Sequence, residues 1–451
     1  MRDIVLILSD QHSGLAVQSN NSIVHTPFLK ELESSSQVFS SAYCNSPLCV
    51  PSRMSFLSGK APHELEIYDN DTLLSSEIQT IAHKMSNAGY RTVLCGRMHF
   101  KGEDQLHGFD ERYVGDITTQ WWGQKRTDLG AFQGTMQMKG CLNDYGFGNS
   151  PVQEYDEAVY HESLRLLQEP SDKPLFLVVG FYGPHFPYCS KEETFEKAYK
   201  KICDVSDAHM MCDDIYSDMV QCLDEEGLHH IRSAYYGLIE QLDSMLKEIH
   251  KTVREYRKDA LFIYTSDHGD QIGKRQLYGK KTLYEDSIRI PLLIEDLKRK
   301  PFCYQREVSL LNLHATILNE AKLSLNEKTV YEMNDPVLVT SLIEKDNQEQ
   351  LVQSVIHQGM KLVKTNQLHL YSLKNDADEL FDLKDEYPSI VDDLKKYLIN
   401  DAEIMQRRSD VKKQALKMKE WTKNNQPEDW VRFKISKAAQ KKPRRRNHNE
   451  V

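Results

Sequence analysis

Apolar, β-rich runs alternate with helical patterns through the first two thirds of this 451-residue chain. The strand-like runs cover residues 4–8, 92–95, 175–181 and 261–265, and helical patterns at 78–88, 155–168 and 230–253 lie between them. Such alternation predicts an α/β fold, with a mostly parallel central sheet flanked by helices. A polar cluster follows each run. Asp10-Gln11-His12 follows the first, Gly96-Arg97-Met98-His99 the second, Gly183-Pro184-His185-Phe186-Pro187 the third and Asp267-His268-Gly269-Asp270 the fourth. Open α/β sheets bind ligands at the carboxyl ends of their strands. One such cluster would be chance; four on one edge predict a single site.

The C-terminal part reads differently. Short strands at 355–363 and 369–373 and a helix near 390–405 predict a smaller α+β subdomain with an antiparallel sheet. The division expected is a catalytic domain over 1–345 and this subdomain over 346–451. Residues 103–150, with Trp121, Trp122 and several glycines, read as a surface insertion. The basic stretch 441–446 reads as a solvated, disordered tail. A net charge of −10 argues against a nucleic-acid partner. No apolar run reaches the length of a membrane helix, and the first strand starts too near Met1 for a secretory leader. Nine cysteines without regular spacing suit a reducing compartment, so a cytoplasmic location is expected.

Cys49-Val50-Pro51-Ser52-Arg53 stands just ahead of an apolar helical run. Proline suits the first helical position, where a missing N–H costs nothing. A helix N-terminus favours an anion or a developing oxyanion, and Arg53 adds a fork able to grip one. A lone buried Cys is more often structural than reactive. Here the pattern resembles the C-x-P-S-R signature of the formylglycine-dependent sulfatases, in the alkaline phosphatase superfamily. The resemblance continues through the loops named above and recurs at Glu379-Leu380-Phe381-Asp382-Leu383, similar to a strand of that family. Tyr68-Asp69-Asn70 and the stretch from Met98 through His99, Phe100, Lys101 and Gly102 to Phe109 are similar to its choline-sulfatase branch.

The resemblance implies a sulfuric ester hydrolase whose nucleophile is the hydrate of an aldehyde made from Cys49 by a formylglycine-generating maturation enzyme. It implies metal ligands at Asp10, Gln11, Asp267 and His268, with the modified Cys49 also at the metal. Oxygen donors at three of these suit Ca²⁺, with Mg²⁺ or Mn²⁺ as alternatives. The family more often has Asp and Asn where Gln11 and His268 stand. Asp270 would support a ligand or cap a turn. Arg53 and Lys280 would stabilise charge on the sulfuryl oxygens, Lys280 being preferred over Lys281 by spacing. Arg97, at a position usually Lys, and His99 would flank the nucleophile, His99 accepting a proton from its second hydroxyl. His185 would protonate the leaving alcohol. Lys125 and Arg126 beside the paired tryptophans favour a sulfated saccharide, with choline sulfate as runner-up. Relatives sharing this nucleophile hydrolyse phosphonate monoesters or phosphodiesters, so those reactions stay open, as does a homo-oligomeric state. An unmodified Cys49 would leave a sulfate-binding protein, but binding alone needs no proton donor.

Overall fold

The structure is a computed structural model that describes residues 1–120, 126–136, 138–323, 327–424 and 435–444. Trp121, Trp122, Lys125, Arg445 and Arg446 lie outside the described residues. A nine-stranded sheet forms the centre. Across it run Phe302–Ser309, Gln37–Tyr43, Leu292–Glu295, Leu261–Ser266, Ile4–Asp10, Leu175–Pro184, Arg91–Gly96 and Glu111–Tyr113. The short strand Arg289–Ile290 joins at Gln37–Tyr43. Ile4–Asp10 is parallel to both neighbours, and only Leu292–Glu295 and Arg289–Ile290 run antiparallel to theirs.

The central strands are apolar on both faces, as a sheet covered on both sides requires. Val5, Ile7, Leu177, Val179 and Phe262 pack against helices Pro27–Ser35, Pro151–Gln168 and Glu225–Tyr256 through Leu29, Val159 and Leu246. Ile4, Leu6, Leu8, Val178 and Ile263 face the other way, toward helices Cys49–Ser58, Ile81–Asn87 and Leu310–Glu320. The period-two alternation along each strand therefore feeds two separate cores. The fold is α/β, with a mostly parallel sheet between helical layers and a small antiparallel sheet toward the C-terminus.

That second sheet holds Val337–Lys345, Gln348–His357, Met360–Lys364 and Leu368–Ser372. The division expected at 345 falls at the turn between its first two strands. The run 355–363, read as one strand, is two. Gln358 and Gly359 take positive φ of 51° and 75° and turn the chain back on itself. The helix expected near 390–405 is likewise two, Pro388–Lys395 and Asp401–Asn424. The Asn400 side chain accepts from Ala402 N at 3.1 Å and starts the second one. Residues 379–383 form no strand, although Leu383 N donates to Leu370 O at 2.8 Å. The expected surface insertion supplies an edge strand of the main sheet, Glu111–Tyr113. Nor is the tail free as far as Arg444. That residue bridges to Phe147, ion-pairs with Glu192 at 2.9 Å and sits over the Phe147 ring.

Candidate active site

The four polar clusters meet at one end of the sheet. Leu261–Ser266, Ile4–Asp10, Leu175–Pro184 and Arg91–Gly96 are consecutive parallel neighbours. Their carboxyl ends deliver Asp267 and His268, Asp10 and Gln11, His185, and Arg97 and His99 to one edge. Gly96 carries φ of +91°, and a Cβ there would sit 2.3 Å from the Gly180 carbonyl. Only glycine lets the loop leave its strand at this angle. Gln11 and His99 also have positive φ, 70° and 61°, a conformation that residues other than glycine adopt infrequently.

Cys49 opens the helix Cys49–Ser58, every residue of which is buried. Pro51 is thus the third helical residue and not the first, but its missing N–H still falls among the donors that lack a helical partner. Position 49 is a thiol in this structure; its sulfur stands where the oxygens of a hydrated aldehyde would sit. Lys280 Nζ lies 3.1 Å from Sγ, His268 Nε2 3.3 Å and Asp10 Oδ1 3.6 Å. Burial and Asp10 push the Cys49 thiol up, against Lys280, so the unmodified group is no ready thiolate. Of the two adjacent lysines, Lys280 is the one at the sulfur.

Buried charges form a lattice beneath this point. Arg53 Nε donates to Asp267 Oδ2 at 2.8 Å, one terminal nitrogen to Asp10 Oδ2 at 3.1 Å and the other to the Arg97 carbonyl at 3.0 Å. Three of its five N–H groups have acceptors within the protein, two of them carboxylates, so Arg53 fixes Asp10 and Asp267 in place. Arg97 Nε donates to Asp10 Oδ2 at 2.5 Å, and its guanidinium lies over the Tyr182 ring. Burial alone would raise Asp10; Arg97, Arg53 and Lys280 together hold it well below the usual carboxylate range. Removing one partner of such a buried set costs about 3–5 kcal/mol.

Asp10, Cys49, Asp267 and His268 place one ligand atom each within 4.8 Å of all the others. His268 Nδ1 is 3.0 Å from the Gly269 carbonyl and must donate there, which leaves the Nε2 lone pair facing the cluster. Gln11 is oriented the same way. Its amide nitrogen donates to Asp270, so its oxygen faces Lys280 Nζ at 2.7 Å. Asp270 also accepts from Tyr188, Ile272 N and Gly279 N, which makes it the fixed support of Gln11. Two carboxylates, an amide oxygen and a neutral imidazole are a donor set that fits a divalent cation. The imidazole is an unusual Ca²⁺ ligand and brings Mn²⁺ level with it as a candidate.

The two further histidines differ in tautomer. His185 Nδ1 donates to the Phe186 carbonyl at 2.6 Å, which frees Nε2; burial and Lys280 hold its pKa well below the ordinary value. His99 Nδ1 lies 2.9 Å from an Arg97 nitrogen, which can only donate. The His99 proton therefore sits on Nε2. Accepting another from the nucleophile would require breaking the contact with Arg97.

Two carboxylates missed in the sequence hold these groups. Asp116 accepts from Arg97 at 3.0 Å and from His99 N at 2.9 Å. Asp156, in the helix Pro151–Gln168, accepts from Tyr182 N and Gly183 N, both at 2.7 Å, at the bend that delivers His185. Burial raises the Asp156 pKa to about 7. Neither belongs to a motif; Asp116 falls in the stretch read as a surface insertion, and only the place of Asp156 within a predicted helix was visible. Asp156→Asn keeps the size but turns one acceptor into a donor facing an N–H. Displacing His185 by a fraction of an ångström should lower kcat on a sugar sulfate by up to about 10²-fold. A kcat within twofold of the wild type would remove Asp156 from this role.

A cavity of about 800 Å³ opens above the cluster. Arg97, His99, Tyr182, His185, Phe186 and Lys280 line its inner end, and Asn70, Ser76, Thr118, Thr119, Thr127 and Gln133 line its walls.

The sulfatase family profile matches residues 2–323. The chain is 32% identical over 350 residues to a choline-sulfatase of Rhizobium meliloti, an alignment covering 72% of this chain and 68% of that protein. It is 27% identical to an arylsulfatase of Clostridium perfringens, covering 89% and 94%. Among solved structures, the phosphonate monoester hydrolase of Agrobacterium radiobacter gives a TM-score of 0.69 at 16% identity, covering 92% and 96%. A protein solved with its substrate D-glucosamine-2-N,6-O-disulfate gives 0.68 at 17%, covering 91% and 98%. At such identities these two likenesses concern the fold. The chain belongs to the sulfatase family. It is an enzyme of that class, a hydrolase of sulfate esters.

Proposed function

We propose that this enzyme removes sulfate from a sulfated saccharide, with a nucleophile derived from Cys49. The observation that carries the reading is the surround of Cys49 Sγ: Lys280 at 3.1 Å, His268 at 3.3 Å and Asp10 at 3.6 Å, all buried. A thiol in that setting is a poor nucleophile, whereas oxidation to the aldehyde would supply a hydrate that is regenerated after each turnover. Asp10, Gln11, Asp267 and His268 would hold a divalent cation, which neutralises charge on the sulfate and on the attacking oxygen. Lys280 reaches the same point and adds a second positive group. Arg53 and Arg97 keep Asp10 ionised, and Arg53 fixes the Asp267 carboxylate. His99 offers its Nε2 proton toward the cavity.

His185 is the group to protonate the departing alcohol. Burial and Lys280 keep it neutral, so the negative charge of bound substrate has to raise its pKa before it can donate. Sulfate esters of sugars have basic leaving groups, and the reaction needs that proton.

The cavity supports a saccharide over a small alcohol. About 800 Å³ is far more room than choline sulfate fills, and its walls are rich in hydroxyl and amide groups. Choline sulfate is the second reading, favoured by the 32% identity to a choline-sulfatase. Measured kcat/KM values for sulfated mono- and disaccharides, choline sulfate, and matched nitrophenyl sulfate and phosphonate esters separate the readings. A clear preference for choline sulfate would overturn the saccharide, and a preference for phosphonate would overturn both.

The metal has its own test. Chelation should abolish turnover, and Ca²⁺, Mg²⁺ or Mn²⁺ added singly should identify the ion. Asp10→Asn and Asp267→Asn should each lose metal affinity by at least about tenfold, because each removes one of two anionic ligands. Full activity in protein verified as metal-free would contradict the ligand set.

A further inference from the structure

We propose that Lys101 forms a second anion subsite, which selects esters carrying another negative group, a sulfate or a carboxylate, beside the sulfate that is cleaved. The proposal rests on the sulfatase reading above and narrows its substrate class. Among the described residues, four cations line the cavity: Arg97, Lys280, Lys101 and Arg126. Arg97 is committed to Asp10, Asp116 and His99, and Lys280 to Gln11 and the position of the nucleophile. Arg126 is exposed at the mouth. Lys101 is half-buried, and its ammonium has one hydrogen-bond partner, the Thr119 carbonyl at 3.2 Å. Among the described residues it enters no ion pair.

An ammonium has three donors, and one neutral acceptor leaves it short of partners once water is thinned around it. Burial lowers the Lys101 pKa, as does Arg97, while Asp71 and Asp116 oppose them. Lys101 lines the same cavity as Arg97 and Lys280, so one substrate can reach both points. Three carboxylates also line this cavity: Asp71, Glu103 and Asp104. Asp104 already accepts from Leu106 N, His107 N and Ser76. Asp71 and Glu103 are exposed, where solvent and salt screen them. None of the three makes an ion pair with Lys101, so its ammonium faces the cavity without a directly bonded carboxylate. A substrate with one sulfate leaves that ammonium without a direct anionic partner, and a cationic alcohol such as choline meets it as a like charge.

Unreactive sulfonates test this without knowing the natural ester. Calorimetric Kd values would be measured on the mature, metal-loaded enzyme for benzenesulfonate and the three benzenedisulfonate isomers. At least one disulfonate should bind about tenfold more tightly than the monosulfonate. Lys101→Met and Lys101→Gln should abolish that advantage, and Lys101→Arg should retain it. The glutamine variant can keep the bond to the Thr119 carbonyl, so it separates loss of charge from loss of fold. No advantage in the wild type, or one that survives either neutral substitution, would overturn the proposal. Nitrophenyl sulfate turnover, followed in parallel, reports on the sulfatase reading independently.

Discussion

Cys49→Ala enzyme is expected to lose at least about 10⁴-fold in kcat on every sulfate ester, with its fold retained. The side chain is wholly buried and small, so replacing the thiol by a methyl group removes little volume. The expected stability change is about 1 kcal/mol. The functional loss is far larger because every other group at the site is arranged around that one atom. Lys280, His268 and Asp10 all lie within 3.6 Å of Sγ, and Asp10 is held by Arg53 and Arg97 while Lys280 is held by Gln11. Circular dichroism and a melting curve would establish that the variant folds. Turnover above a hundredth of the wild-type rate in that folded variant would show that another residue, or water, attacks sulfur.

His185→Ala carries the second large effect, and its size should depend on the leaving group. Loss of a general acid typically costs about 10²–10⁴-fold. That full loss is expected on a sugar sulfate, whose alkoxide is strongly basic. Nitrophenolate leaves without help, so the loss on nitrophenyl sulfate should stay below about tenfold. The geometry behind the expectation is the bond from His185 Nδ1 to the Phe186 carbonyl at 2.6 Å, which leaves Nε2 free on a residue that lines the cavity. Equal losses on both substrates would assign His185 to positioning the sulfate.

The sheet and the convergence of its four loops were legible because apolar runs, helical periods and polar ends follow the same order as the strands. Asp10, Arg97, His185 and Asp267 each come directly after a buried strand or close it, a place that pattern alone marks. Cys49 was legible through Pro51 and Arg53. Orientation was not. That Arg53 spends its nitrogens on Asp10, Asp267 and a carbonyl, and that Arg97 fixes the His99 tautomer, depends on contacts between residues 43 or more apart or within a left-handed turn. Asp116 and Asp156 were given no role for the same reason, since a single carboxylate has no periodicity to betray it, and Lys101 was read only as part of the stretch from Met98 to Phe109. The C-terminal misreadings are local. Gln358-Gly359 is a turn signal inside an apolar run, and Asn400 is a helix start inside a helical pattern. In both places hydrophobic continuity outweighed the breaker.

The most direct test of the central claim is the mass of the peptide containing Cys49, taken from active enzyme purified from its native host. An aldehyde at position 49, trapped by a hydrazide in proportion to specific activity, is the result expected. An unmodified thiol in fully active enzyme would contradict it.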